Sequence, residues 1–234
     1  MLRDEKKRRI YFKLMDRKLT VKTKWFKNIV VDYFEGQKKR LLEGLGVKAL
    51  KADLHVFNQE LEIKVAFDKF YPALLEVMKE AGEDAMKTDF DFSLSGSIRS
   101  WLDERVRIFS TQINETTFKE LKNQFEESTI ANETREQLVK RIEETYGDIK
   151  KYRAETIART EVHGTMQKGT IEGYEQSGMR VKIWVSVIDS KTRDAHAGMD
   201  GEEVSINSAF SNGLMFPSDP SGPPEEVINC RCTI

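Results

Sequence analysis

The residues best suited to chemistry lie in the last fifty of the 234. A strand-like run, 180–188, leads into Asp189-Ser-Lys-Thr-Arg193-Asp-Ala-His196, then Asp200-Gly201, and the sequence closes on Asn229-Cys230-Arg231-Cys232-Thr-Ile234. In an extended segment residues i and i+2 point to one face, so both thiols of Cys230-Arg231-Cys232 look the same way. Adjacent same-face sulfurs bond poorly to each other and well to a shared third partner. Zinc is one such partner, with His196 as nitrogen ligand and Asp189 or His163 as a fourth. The competing reading is a pair of buried thiols packing as small hydrophobes.

Asp189, Arg193 and His196 fall within one or two turns of one another, close enough for a hydrogen-bonded network. Such a cluster serves as an acid–base pair or holds a loop in shape, and the second is the reading taken here. Asp200-Gly201 favours a tight turn. Upstream, Arg159-Thr160-Glu161-Val162-His163 lies on a helical stretch where Arg159 and His163 share a face. A buried Arg159 organising carbonyls of the C-terminal loop is its simplest role, and Arg231 offers the same five-donor fork. No Walker loop, dinucleotide fingerprint, nucleophile elbow or zinc-protease helix is present, so no catalytic residue is assigned.

These residues need a scaffold, and helical periodicity dominates what precedes them. Residues 1–36 carry Trp25, Phe26, Ile29, Val30, Tyr33 and Phe34 at three- and four-residue steps. Gly36, then Gly44 and Gly46, are expected to interrupt this segment. Residues 48–80 keep a helical period, with Pro72 expected to start a new helix and 81–84 to turn. Residues 90–96 read as an extended loop. Further helices are expected over 101–125 and from 138 to 149, the latter opened by a Thr134/Gln137 capping box. Tyr152 to Gln176 reads as one long helix closed by Gly178. Gly164, Gly169 and Gly173 within it each cost about 1 kcal/mol against Ala, so something packs closely on their backbone. Val181, Ile183, Val185 and Val187 then alternate with Lys182, Trp184 and Ser186 as a half-buried strand. The expectation is an α+β chain: a helical body over 1–150 and a small α+β domain over 151–234.

Composition agrees with a soluble, helix-rich protein, at 33% charged and 39% hydrophobic. No apolar run is long enough to span a membrane, and the N-terminus is too charged for a secretory leader, so cytoplasmic synthesis is expected. The net charge of -1 hides an asymmetry, because residues 1–51 hold 16 Lys+Arg against 6 Asp+Glu. Such a basic segment, with Lys6, Lys7, Arg8 and Arg9 at its head, fits contact with nucleic acid or an acidic protein surface, or a solvated helical face.

From about Arg153 to Ile234 the sequence resembles the phage head morphogenesis (Mu F-like) minor head proteins. The resemblance is carried by Ala158–Glu161, the glycines 169 and 173, Trp184, Asp189 with Arg193, His196 with Asp200-Gly201, and Asn229–Cys232. Some relatives carry Cys-x-x-Cys where this chain has Arg193-Asp-Ala-His196, which gives them four thiols for a metal and leaves three good ligands here. The resemblance implies a structural network through the residues just named, without a required cofactor. It also implies a virion protein inside the capsid, made in the host cytoplasm. Such a protein associates with the portal, scaffold or major capsid protein and with packaged DNA, and assists head morphogenesis, DNA packaging and ejection. Two other readings compete. One is a metal-dependent nuclease or toxin using His163, Asp189 and His196. The other is a host nucleic-acid-binding module.

Overall fold

A computed structural model describes residues 3–48, 56–86 and 91–234, with backbone alone for 46–48. The helices are α1 (Glu5–Lys48), α2 (Gln59–Met86), α3 (Gly96–Ile130), α4 (Arg135–Asp148), α5 (Ala154–Gln176), α6 (Asp194–Gly198) and α7 (Pro224–Val227). A π turn, Ile149–Arg153, links α4 to α5. Strands β1 (Val181–Ile183) and β2 (Glu203–Ser205) pair antiparallel, Lys182 opposite Val204, as the sheet among the described residues. The α+β expectation holds, with helix predominating.

Several expected helix breaks do not occur. Helix α1 runs through Gly36 and Gly44, and α2 runs through Pro72 and Gly82. Local cost loses to burial here, since Phe26, Val30, Tyr33, Phe34 and Leu41 of α1 are all buried, and so are Phe70, Leu74, Val77 and Met78 around the proline. Where a polar group closes the end, the expected boundary appears. The Thr134 side chain accepts the Gln137 N–H while Gln137 accepts the Thr134 N–H. Asn132 and Gly178 turn the chain with positive φ of 49° and 73°. Of the segment expected to be helical over 48–80, residues 49–55 lie outside the described residues, as does Phe90 of the expected loop.

The chain folds into two compact units. One comprises Met1–Phe26, Ala73–Leu102 and Thr156–Ile234; the other comprises Lys27–Pro72 and Asp103–Glu155. The boundary expected near residue 150 falls in the π turn, and the unit that holds the C-terminal residues also takes in 1–26 and 73–102.

The second unit is helical, built on the stacked rings of Phe70 and Phe109 with Tyr33 edge-on. Three of its buried polar side chains bond to one another. Tyr33 Oη donates to Asn114 Oδ1 at 2.7 Å, and Gln37 Nε2 donates to both. Arg40 holds the buried Glu62 through two bonds of 2.7 Å.

In the first unit, the helix crossing of α5 on α2 explains two of the glycines. A Cβ on Gly169 would lie 2.4 Å from Met78 O, and one on Gly173 would lie 2.4 Å from Gly82 O. Gly82, where a turn was expected, is needed inside α2 because a Cβ there would lie 2.4 Å from the Phe92 ring. Gly164 similarly faces Ser218 O at 2.9 Å. Against the end of α5, ten buried residues form one apolar cluster, Ile171 of that helix, Trp184, Met199, Ile206, Phe210, Leu214 and Phe216 with both cysteines and Ile234. The expected alternation gives way to burial on both faces, since Ile183 and Val185 are buried as expected and their neighbours are buried too. Val181 is exposed, whereas Lys182, Trp184 and Ser186 are buried. Trp184 must fill the centre of this cluster, and Lys182 follows it inward because Nζ donates to Met215 O at 2.7 Å and lies over the Phe210 ring.

Candidate functional site

The C-terminal tail is a structural element of the first unit. Val185 and Thr233 exchange backbone bonds of 2.8 and 2.9 Å, which lays 230–234 beside 184–186. Gln167 on α5 seals the end, accepting the Ile234 N–H and donating to Thr233 Oγ1 at 3.1 Å. Tyr11 Oη, from α1, donates to Ile234 O at 2.9 Å. Asn229 takes a left-handed backbone, φ 57°, and its N–H reaches Thr160 Oγ1 of α5.

His196 on α6 sits at the centre. Its ring stands edge-on to Trp184 at 5.3 Å, and Nδ1 lies 3.6 Å from the sulfurs of both Cys230 and Cys232. Nε2 meets the Glu226 carboxylate at 2.6 Å. Burial opposes the charged ring, but contact with Cys232 and Glu226 outweighs it and leaves the His196 pKa raised. Contact between the thiols lowers Cys230 and raises Cys232, and burial adds to the rise at Cys232. Trp184 Nε1 donates to Ser186 Oγ, which in turn donates to the His196 carbonyl. Histidine, thiols and tryptophan are thus brought together.

The charged residues of the sequence motif do not form one network with His196. Asp189 lies outside, clamped by Arg231 at 2.8 and 2.6 Å, and that guanidinium holds its carboxyl well below the usual carboxylate range. Arg193 takes the role expected of Arg159 and Arg231, donating to the Ile228 carbonyl at 2.7 Å. Arg159 is half-buried on α5, and among the described residues its guanidinium has no hydrogen-bond partner. Glu161 is buried on the same helix. His163 is fully enclosed, its Nδ1 2.8 Å from Ser218 Oγ, and burial pushes it down to about 4, so it is a neutral packing group.

Asp200 ties the N-terminal segment in. Its Oδ1 accepts the Ser186 N–H at 2.9 Å, while Oδ2 accepts from Arg8 at 3.1 Å and Arg9 at 2.9 Å. Arg9 also donates to Ser186 O. The Arg8 guanidinium lies over Gly201, whose φ of 88° and missing Cβ leave it room. Two of the four cations grouped for DNA or a portal surface are therefore engaged within the fold, and Lys6 and Lys7 remain exposed. Sequence reasoning missed Glu226, Ser186, Gln167 and Tyr11. None belongs to a spacing motif, and each reaches its partner across ten or more residues of chain.

Among the described residues no helix is long and apolar enough to cross a membrane. A family model described as Phage Mu protein F like protein matches residues 119–234. The NAD(+)--arginine ADP-ribosyltransferase EFV of Enterococcus faecalis (strain ATCC 700802 / V583) is 37% identical over 83 residues, 33% of this chain and 17% of that protein. Uncharacterized protein YqbB of Bacillus subtilis (strain 168) is 26% identical over 229 residues, 85% of this chain and 72% of its own. Minor head protein GP7 of Bacillus phage SPP1 is 27% identical over 88 residues, 35% of this chain and 29% of its own. The chain thus spans less than a third of two of these relatives and nearly three quarters of the third. No solved structure matches.

Proposed function

Residues 119–234 belong to the Phage Mu protein F like family, and from that premise we propose that the chain is a minor head protein of a tailed phage or prophage. In this reading it joins the particle at the portal, inside the capsid, and assists head assembly and DNA packaging or ejection. The observation that carries the reading is the family match over the stretch whose C-terminal tail is built into the core. The likeness to Minor head protein GP7 supports it. The buried Trp184, His196 and cysteines act in this reading as internal packing that keeps a docking module in shape.

Partner contact falls to the exposed surface, with portal, scaffold and major capsid protein as candidates and packaged DNA as a further one. Because Arg8 and Arg9 hold Asp200, direct DNA contact at the N-terminus rests on Lys6, Lys7 and the exposed lysines of α1. The test is co-expression with the portal and major capsid proteins of the same phage or prophage, followed by pull-down and purification of assembled heads. Incorporation into heads, lost when portal is omitted, is the expected result. Folded protein that neither binds portal nor enters heads refutes the reading.

A further inference from the structure

We propose that His196, Cys230 and Cys232 bind a zinc ion through His196 Nδ1 and the two Sγ atoms. The three ligand atoms lie within 4.8 Å of one another, and all three residues are buried. Both Nδ1–Sγ separations are 3.6 Å. A zinc bonded to nitrogen at about 2.0 Å and to sulfur at about 2.3 Å, with tetrahedral angles, sets N and S about 3.5 Å apart. The observed distances are already two edges of that tetrahedron.

The same groups also hydrogen-bond among themselves and to Ser186 and Glu226. Nε2 faces a carboxylate, so it carries the ring proton and leaves Nδ1 a single in-plane lone pair. That lone pair serves one S–H, and the Cys232 thiol also donates to Ser186 Oγ across a long 3.7 Å. A cation takes all three groups together. Two thiolates and a neutral imidazole balance the ion's charge, and the two thiol protons leave to solvent on binding. Glu226 on His196 is the carboxylate–histidine contact that orients a ligating ring and raises its basicity. The bridge between Val185 and Thr233 presets the sulfurs by holding the Cys-x-Cys segment extended.

A structural zinc site takes a fourth ligand. Asp189 is engaged with Arg231 and His163 with Ser218, so neither residue suggested by the sequence supplies it. Ser186 Oγ lies 3.7 Å from Cys232 Sγ, which assigns the remaining position to an oxygen, that hydroxyl or a water beside it. Such an ion would pin α6, α7 and the tail together in a part of the chain with little regular structure.

The experiment uses the full chain, purified reduced and without chelator. Elemental analysis is expected to give one zinc per chain, and exchange into cobalt(II) to give thiolate charge-transfer bands with tetrahedral ligand-field absorption. Cys232→Ser should abolish both. Because that variant is in the core, Glu226→Gln serves as the second probe, keeping the ligands while weakening zinc affinity about 10- to 100-fold in a chelator competition. Ser186→Ala changes the cobalt ligand-field bands if the hydroxyl is the fourth ligand and leaves them unaltered if water is. Folded wild-type protein that takes up neither zinc nor cobalt overturns the proposal. So does metal that remains bound in a folded Cys232→Ser variant. Neither outcome bears on head incorporation, which is read separately.

Discussion

Replacing Asp200 by asparagine tests how residues 1–26 are held to the C-terminal residues of their unit. Asparagine keeps an oxygen for the Ser186 N–H and removes the negative charge that Arg8 and Arg9 share. The Arg9 side chain is 31% exposed, so water replaces its lost partner and its share is at most about 1 kcal/mol. Arg8 is 12% exposed and Asp200 10%, and stripping a buried cation of its counter-charge costs about 3 kcal/mol. The total for Asp200→Asn is therefore about 3 to 4 kcal/mol. Arg8→Met leaves Asp200 with Arg9 and Ser186, and should cost less, about 1 to 2 kcal/mol. Once the charge is gone, Arg8 has already lost its ion pair with Asp200, so the double variant should be little worse than Asp200→Asn alone. That corresponds to a coupling of about 1 to 2 kcal/mol, well above the additivity expected of independent sites. Urea unfolding of the four proteins measures it, with m unchanged as the sign that only stability moved. Limited proteolysis within the lysine-rich part of α1 should accelerate in parallel. Additivity within about 0.5 kcal/mol would refute the clamp.

Gly169→Ala should destabilise by about 1 to 2 kcal/mol. The gain in helix propensity is about 1 kcal/mol, while a Cβ 2.4 Å from the Met78 carbonyl forces backbone apart. Gly147→Ala, with nothing within 4 Å, should instead stabilise by up to about 1 kcal/mol, so thermal unfolding should move in opposite directions for the same substitution. Lys182 supplies a pH dependence. Burial lowers it to about 8 in the fold, against 10.5 in the unfolded chain. Between those values the unfolded chain holds more protons, so stability climbs as pH rises, with a slope of at most about 1.4 kcal/mol per unit. Lys182→Met should flatten that rise between pH 8 and about 9.5; identical wild-type and variant profiles would show that the ammonium is solvated.

Residues whose partners are near in sequence are legible from the amino-acid order. The capping box at Thr134 and Gln137 and the left-handed Gly178 depend on contacts within a few residues, and both appear. The same-face thiols of Cys230 and Cys232 follow from strand geometry and meet one histidine. The close approach demanded by Gly169 and Gly173 is legible too, although its partner, α2, is not. Local rules fail where burial overrides local preference. Pro72 and Gly82 stay within a helix because apolar neighbours on both sides are buried, and the strand turns Lys182 inward because Trp184 must fill the core.

The amino-acid order by itself determined the capping box at Thr134, the turn at Gly178 and which face of the tail carries sulfur. Only the tertiary structure decided that Glu226 stands behind His196, that Asp189 is turned away from it, and that Arg8 and Arg9 are spent on Asp200. The reason is physical. Helical period, caps and strand alternation are set by neighbours a few residues apart, whereas the choice of a charge's partner across some two hundred residues is set by which surfaces bury most apolar area together.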